Sequence, residues 1–213
     1  MKEQYFKWHS PNLSGDIEML VFGHAGYPVI LFPTSMGSNH ENKDMGIIGS
    51  AKWFIDQGLI QIFCPDSIDK DSFYNKNIDP IHRIENHVRY DKMICHEIAE
   101  KVKNNTLSGN VVVAGCSFAR YHAANFAFRH TGYVSHIFSM SGAFIVKSFM
   151  DGVYNDDVFY NNPEDYMYGL DDAKLWNMDI VLGTSNFDIG FDANLKLSKI
   201  LTDRNVHHWL DIL

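Results

Sequence analysis

Ser117 is the residue whose setting could do chemistry. It stands in Gly115-Cys116-Ser117-Phe118-Ala119, after the run Val111-Val112-Val113-Ala114 and ahead of a helix-forming segment. A serine hydroxyl is a poor nucleophile unless the backbone holds it clear of its neighbours and a base removes its proton. A tight strand-to-helix turn does the first of these. It raises Oγ above the sheet and aims the N–H of Phe118 at the same point. The first amides of the helix add positive potential where an oxyanion would form. Gly-x-Ser-x-small after a strand and before a helix therefore predicts a nucleophile elbow, with a structural turn as the alternative. Ala119 stands where glycine is usual, and its methyl is tolerable if the helix packs slightly further from the strand.

The elements that must position this serine alternate along the chain. Tyr5 to His9 and Asp16 to Gly23 read as two antiparallel strands joined across Pro11–Gly15. Pro28 to Phe32 is a compact apolar strand, followed by the loop Pro33–Asn39 and a helix around Gly46 to Gln57. Leu59 to Cys64 is a buried strand closed by Pro65-Asp66. A long helix spans Ile81 to Asn104, with Ile84, Val88, Met93, Ile94, Ile98 and Val102 keeping a helical stripe. The elbow strand, a helix over Phe118–Arg129 and a strand over Val134–Ser139 follow, the last running into Met140-Ser141-Gly142. Residues 145–177 form an irregular insertion rich in aromatics, either a lid giving a substrate an apolar wall or the packing of a long segment. Asp179–Gly183, Asp192–Arg204 and Val206–Leu213 read as strand, helix and strand. Repeated β-α units after an antiparallel pair imply one α/β domain over residues 1–213, a mostly parallel sheet flanked by helices. Ligands of such sheets sit at the carboxyl ends of the strands, where Ser117 lies.

Composition narrows the classes. The 213 residues are 46% hydrophobic and 21% charged, as in a globular domain with a real core. A net charge of −8 argues against a nucleic-acid partner, which needs clustered Lys and Arg. Cys64, Cys95 and Cys116 lack metal-type spacing and fit free thiols in a reducing compartment. With no signal-like N-terminus and no membrane-spanning run, the expectation is a cytoplasmic protein.

The stretches Pro28 to Gly37, Gly46-Ile47-Ile48, Phe63 to Ser67, Gly115 to His130 and Met140 to Gly142 resemble the α/β-hydrolase superfamily, and within it the esterase group akin to esterase D. The resemblance runs from about Pro28 to Leu213. It implies a Ser-Asp-His hydrolase of small carboxylic esters, with neither metal nor cofactor. Carried over residue by residue, Ser117 is the nucleophile, the Phe118 N–H one oxyanion donor, and the backbone of Ser35 or Met36 the second. Asp188 is the acid, with Asp192 a rival four residues on.

The histidine departs from the pattern. Relatives place it in a loop after the final strand, whereas this chain ends at Asp211-Ile212-Leu213. His207 and His208 start the final strand; six residues of strand span roughly 20 Å, which sets both far from Ser117. His122 is expected to pack against the sheet, His40 lies near the oxyanion loop, His87 is in the long helix and His136 inside a strand. The triad therefore reads as incomplete and the esterase as impaired. A non-catalytic binding or assembly protein and a truncated product of a longer esterase are the alternatives. A homodimer through the exposed final strand stays open.

Three other features are weighed. His96-Glu97-Ile98-Ala99-Glu100 has glutamate where a zinc-protease helix has its second histidine and reads as a solvated helix face. Asn155-Asp156-Asp157 and Asp171-Asp172 read as turn and cap residues rather than a calcium loop. Arg120 follows the elbow directly; it either meets an anionic substrate group or faces solvent.

Overall fold

A computed structural model describes residues 1–104, 109–141 and 144–213; Gly142, part of the Met140–Gly142 stretch, lies outside them. Strands β1 (Glu3–Ser10) and β2 (Gly15–Phe22) form an antiparallel hairpin, and β2 pairs antiparallel with β4 (Ile60–Pro65). From there β3 (Tyr27–Leu31), β5 (Val111–Cys116), β6 (Val134–Met140), β7 (Asp179–Thr184) and β8 (Trp209–Ile212) run parallel. The order is β1-β2-β4-β3-β5-β6-β7-β8. This is the expected α/β architecture, mostly parallel with an antiparallel N-terminal pair.

Side-chain alternation explains why both faces are covered. Ile17, Met19 and Val21 of β2 join one buried cluster, while Leu20 and Phe22 join another on the opposite face with Leu31, Ile62 and Ala114. Successive strand residues point to opposite faces, so apolar residues in both sets require a layer on each side.

Helix α1 (Pro80–Met93) starts from Asp79, whose side chain accepts the Ile81 N–H at 2.8 Å, with Pro80 at its first position. The expected long helix is present, but a π turn over Ile94–Ala99 widens it before Glu100–Asn104. Helix α2 (Phe118–Arg129) is buried from Phe118 to Phe128. The helix is enclosed on every side, its polar Arg120, His122 and Asn125 buried with the rest. Phe73, Ile84, Val146, Met150 and Val158 cluster with its Phe118 and Tyr121, and three of these five come from the insertion.

Two expected elements differ. The segment Gly46–Gln57 is not one helix but two turns, Ile47–Ser50 and Lys52–Asp56, bounded by Gly46 at φ 84° and Gly58 at φ 67°. The final strand is four residues rather than eight, because Val206 still closes helix α3 (Phe191–Asp203) through its N–H to Leu201 O. The insertion is a chain of short turns, capped at Asn155 and Asp172 as expected.

Candidate active site

Ser117 sits at φ 60°, ψ −126°, between the end of β5 and the start of α2. A non-glycine residue there is strained and persists only where its surroundings hold it. Two backbone bonds hold it: Ser117 N–H donates to Met140 O at 3.0 Å, and Arg120 N–H to Ser117 O at 3.2 Å. The result is an exposed Ser117 between a half-buried Cys116 and a buried Phe118.

Gly115 is required by the same turn. A Cβ on it would stand 2.4 Å from both the carbonyl carbon and oxygen of Ala119. Helix and strand touch here with no side chain between them, so Ala119 is accommodated by the bareness of Gly115.

Because β3 lies beside β5, the loop after β3 reaches the same edge of the sheet. Thr34 donates its N–H and hydroxyl to Glu41, at 2.6 and 2.7 Å. Tyr74 OH donates to Ser35 Oγ at 2.9 Å. Met36, at φ 56°, donates its N–H to Asp69 Oδ2 at 3.1 Å. The Met36 amide is therefore occupied, which leaves that of Ser35 as the loop's candidate donor toward Ser117. Asp69 is fully buried, and His122 Nε2 donates to its other oxygen at 3.0 Å. Burial opposes its charge, but His122, the Met36 N–H and Ser67 together hold its pKa below the usual carboxylate value. Asp69 and His122 thus tie the loop to α2.

Across the sheet, Ser141 N–H donates to Gly183 O at 2.9 Å, continuing the bonding that links Ser117 to β6. Asp188 follows β7 and accepts from Gly190 N–H at 2.9 Å and Thr184 Oγ1 at 3.1 Å. Partial burial opposes its charge, yet these donors, the Ser141 hydroxyl and the charge of Arg120 keep its pKa low. Asp192 is exposed in the first turn of α3, outside this arrangement.

The histidines weighed from sequence have other neighbours. His207 packs edge-on against Trp209, and His208 binds Ser198 Oγ at 2.7 Å and Val206 O at 3.0 Å, both before β8 begins. His122 is held by Asp69, His87 is 3.1 Å from Tyr121 OH, and His136 pairs with Asp179 at 3.2 Å. His40 is exposed before the turn Glu41–Asp44.

The insertion contributes packing. Phe144, Val146, Met150 and Tyr166 are core, while Phe149 meets Phe118 at 5.5 Å and Tyr74 at 5.1 Å between ring centroids. Glu97, expected on a solvated face, instead accepts from Trp8 Nε1 at 2.6 Å, Ser10 Oγ at 2.7 Å and Asn12 Nδ2 at 2.6 Å, anchoring the β1–β2 hairpin. Among the described residues, no group of three His, Cys, Asp or Glu is arranged to hold a metal, the three cysteines are free, and no helix is long and apolar enough to cross a membrane.

Sequence reasoning missed Asp69, Tyr74 and Glu41. Asp69 carried one signal, its place just past β4, whose carboxyl end adjoins that of β3.

No protein-family model matches the chain, and no curated protein matches it in sequence. Solved structures do. A ferulic acid esterase superposes with a TM-score of 0.78, covering 99% of this chain and 89% of its own at 14% identity. An S-formylglutathione hydrolase from Agrobacterium tumefaciens gives 0.74 over 99% and 86% at 10% identity. One from Staphylococcus aureus gives 0.71 over 99% and 90% at 13% identity. The chain has the α/β-hydrolase fold, and the solved structures it resembles include ferulic acid esterases and S-formylglutathione hydrolases.

Proposed function

We propose that the chain is an esterase-type serine hydrolase of a small carboxylic ester, centred on Ser117. The observation that carries this reading is the exposed Ser117, held at φ 60° where Gly115 meets Ala119. Its Oγ attacks the ester carbonyl carbon, and its proton passes by way of solvent water to the departing alkoxide. The N–H groups of Phe118 and Ser35 stabilise the oxyanion, and the alcohol departs as the carbonyl re-forms. Water then hydrolyses the acyl-Ser117. Asp188 is the acid of the arrangement, and Tyr74, Phe118 and Phe149 supply the apolar wall. With His87, His122, His136, His207 and His208 engaged elsewhere and His40 exposed before the turn Glu41–Asp44, the triad reads as incomplete and turnover as slow. Removing one triad member leaves about a thousand- to ten-thousand-fold acceleration from the oxyanion hole and binding.

One observation favours a second reading, a binding protein on the same fold: the Met36 N–H, one of the two loop amides expected to meet the substrate, is taken by Asp69. A fluorophosphonate probe followed by peptide mapping separates the two. The hydrolase reading expects label on Ser117 and slow p-nitrophenyl acetate hydrolysis that Ser117→Ala abolishes. Ester turnover unchanged in Ser117→Ala overturns it.

A further inference from the structure

Arg120 is one helical turn past Ser117 and fully buried. Among the described residues its Nε, Nη1 and Nη2 have no hydrogen-bond partner. The other buried arginine of the region shows what is usual: Arg83 donates from Nε to Asn75 O at 2.7 Å and from Nη1 to Phe149 O at 2.8 Å and Asp151 Oδ2 at 2.6 Å. A buried polar group without a partner costs free energy, a buried charge more so.

The surroundings of Arg120 place it at the carboxyl edge of the sheet. Its guanidinium lies over the Phe144 ring, 4.3 Å from the centroid, just past β6. Its charge is felt by Asp188 past β7. Asp188, however, takes its hydrogen bonds from Gly190, Thr184 and Ser141. The guanidinium is thus braced from one face by an aromatic ring while its N–H fork stays unused. Burial pulls its pKa down to about 10 and the Asp188 carboxylate opposes that, so Arg120 is a cation at neutral pH.

We propose that Arg120 is an anion-recognition residue of the Ser117 site, its fork receiving a carboxylate carried by the substrate, so that the preferred ester is a half-ester of a dicarboxylic acid. A planar guanidinium matches a carboxylate in two parallel hydrogen bonds, which lysine cannot reproduce. Reaching it takes a side-chain rearrangement at the Phe144 edge, so the test reads equilibrium as well as rate. The ester preference rests on the hydrolase reading, whereas carboxylate binding does not.

The experiment compares succinate with its neutral isostere succinamide at matched ionic strength, by thermal melting of the full chain and of Arg120→Met and Arg120→Lys. Succinate is expected to raise Tm in the wild type and succinamide to leave it unchanged. Arg120→Met loses the succinate shift, and Arg120→Lys weakens succinate binding about tenfold through loss of the bidentate pair. Mono-p-nitrophenyl succinate is expected to exceed p-nitrophenyl butyrate in kcat/KM by about tenfold or more, a preference that Arg120→Met removes. Equal effects of succinate and succinamide on the wild type, or an undiminished succinate shift in Arg120→Met, overturn the proposal; the wild-type comparison decides even where a variant does not fold. An unlabelled Ser117 with the succinate shift intact refutes the hydrolase reading and leaves the carboxylate site standing.

Discussion

Replacing Gly115 with alanine puts a methyl into the turn that presents Ser117. The new Cβ would lie 2.4 Å from the carbonyl carbon and oxygen of Ala119 and 2.7 Å from its Cβ. Two of those atoms are backbone of the first turn of α2, and that helix is buried along its length. No flexible side chain is available to swing aside. Overpacking a core costs about 1–3 kcal/mol where neighbours can adjust, and here the upper end, about 3 kcal/mol, is expected. At roughly 2–4 °C per kcal/mol for a chain of this size, Tm should fall by about 6–12 °C. Gly49→Ala is the control, because nothing lies within 4 Å of a Cβ there and the residue belongs to the helical turn Ile47–Ser50. That change should be neutral, or stabilise by up to about 1 kcal/mol. Calorimetry of both variants, with fluorophosphonate labelling of the folded fraction, tests the linked claims. Gly115→Ala should melt early and label more slowly than wild type, since α2 must move off β5 and carry Ser117 with it. A Gly115→Ala protein melting within about 1 °C of wild type would refute the contact and its tie to the Ser117 backbone.

The remaining predictions concern buried charge and the hairpin anchor. Burial lowers the His130 pKa, but its 2.8 Å bond to Asp91 and that carboxylate's charge outweigh burial and raise it to about 9. The pair therefore stabilises fully below about pH 6.5 and fades as pH rises through about 9, by at most about 3 kcal/mol; His130→Gln should flatten that limb in pH-dependent melts. His87 has the opposite sign. Burial holds its pKa near 3, so stability should fall on acidification below about pH 6.5 as the unfolded chain takes up the proton, and His87→Phe should lessen that loss. Asp69→Asn should cost about 3–5 kcal/mol in urea melts, because it leaves buried His122 and the Met36 loop without their anion. Glu97→Ala should cost about 1–3 kcal/mol and speed hydrogen exchange at the β1–β2 turn, where Trp8, Ser10 and Asn12 lose a shared acceptor.

Much of the fold was legible because it follows from local rules. The run Val111–Cys116 has the β-branched residues of a buried strand, and the helix Phe118–Arg129 begins and ends where the sequence places it. Boundaries slipped where a long-range contact decides them. Val206 reads as strand, yet its N–H turns back to Leu201 and pairing with β7 starts only at Trp209. The site divides in the same way. Ser117 is visible because its constraint is sequential, a glycine two residues before and a small residue two after. Asp69 is not, because its partners, Met36 and His122, lie 33 and 53 residues away and no spacing links them. Arg120 shows the limit most sharply. Its two sequence readings, solvent or an anionic group, differ only in what stands above it, and that is Phe144, delivered by the next strand.

On the proposed reading, what separates this site from a fast esterase is proton transfer. Asp188 has the geometry of an acid that still has capacity: a carboxylate offers about four acceptor positions, and Gly190, Thr184 and Ser141 occupy three. What such an acid must orient is an imidazole within about 3 Å of Ser117 Oγ. His122 is the nearest in sequence, five residues on along α2, but its Nε2 points to Asp69 beneath the oxyanion loop. Moving it would break the buried His122–Asp69 hydrogen bond and leave the carboxylate that holds the Met36 N–H without that donor, so it is poorly suited to serve as the base. The pair His122–Asp69 therefore acts on Ser117 indirectly, through the loop it fixes. Reagents whose leaving group departs without being protonated, such as fluorophosphonates, lose only the base of the missing histidine, whereas unactivated alkyl esters lose its acid as well, so the former should react with Ser117 more readily. The ratio of fluorophosphonate labelling to alkyl-ester turnover measures that deficit: a low ratio, with alkyl esters cleaved at rates typical of complete triads, would mean that a base reaches Ser117 from outside the set weighed above.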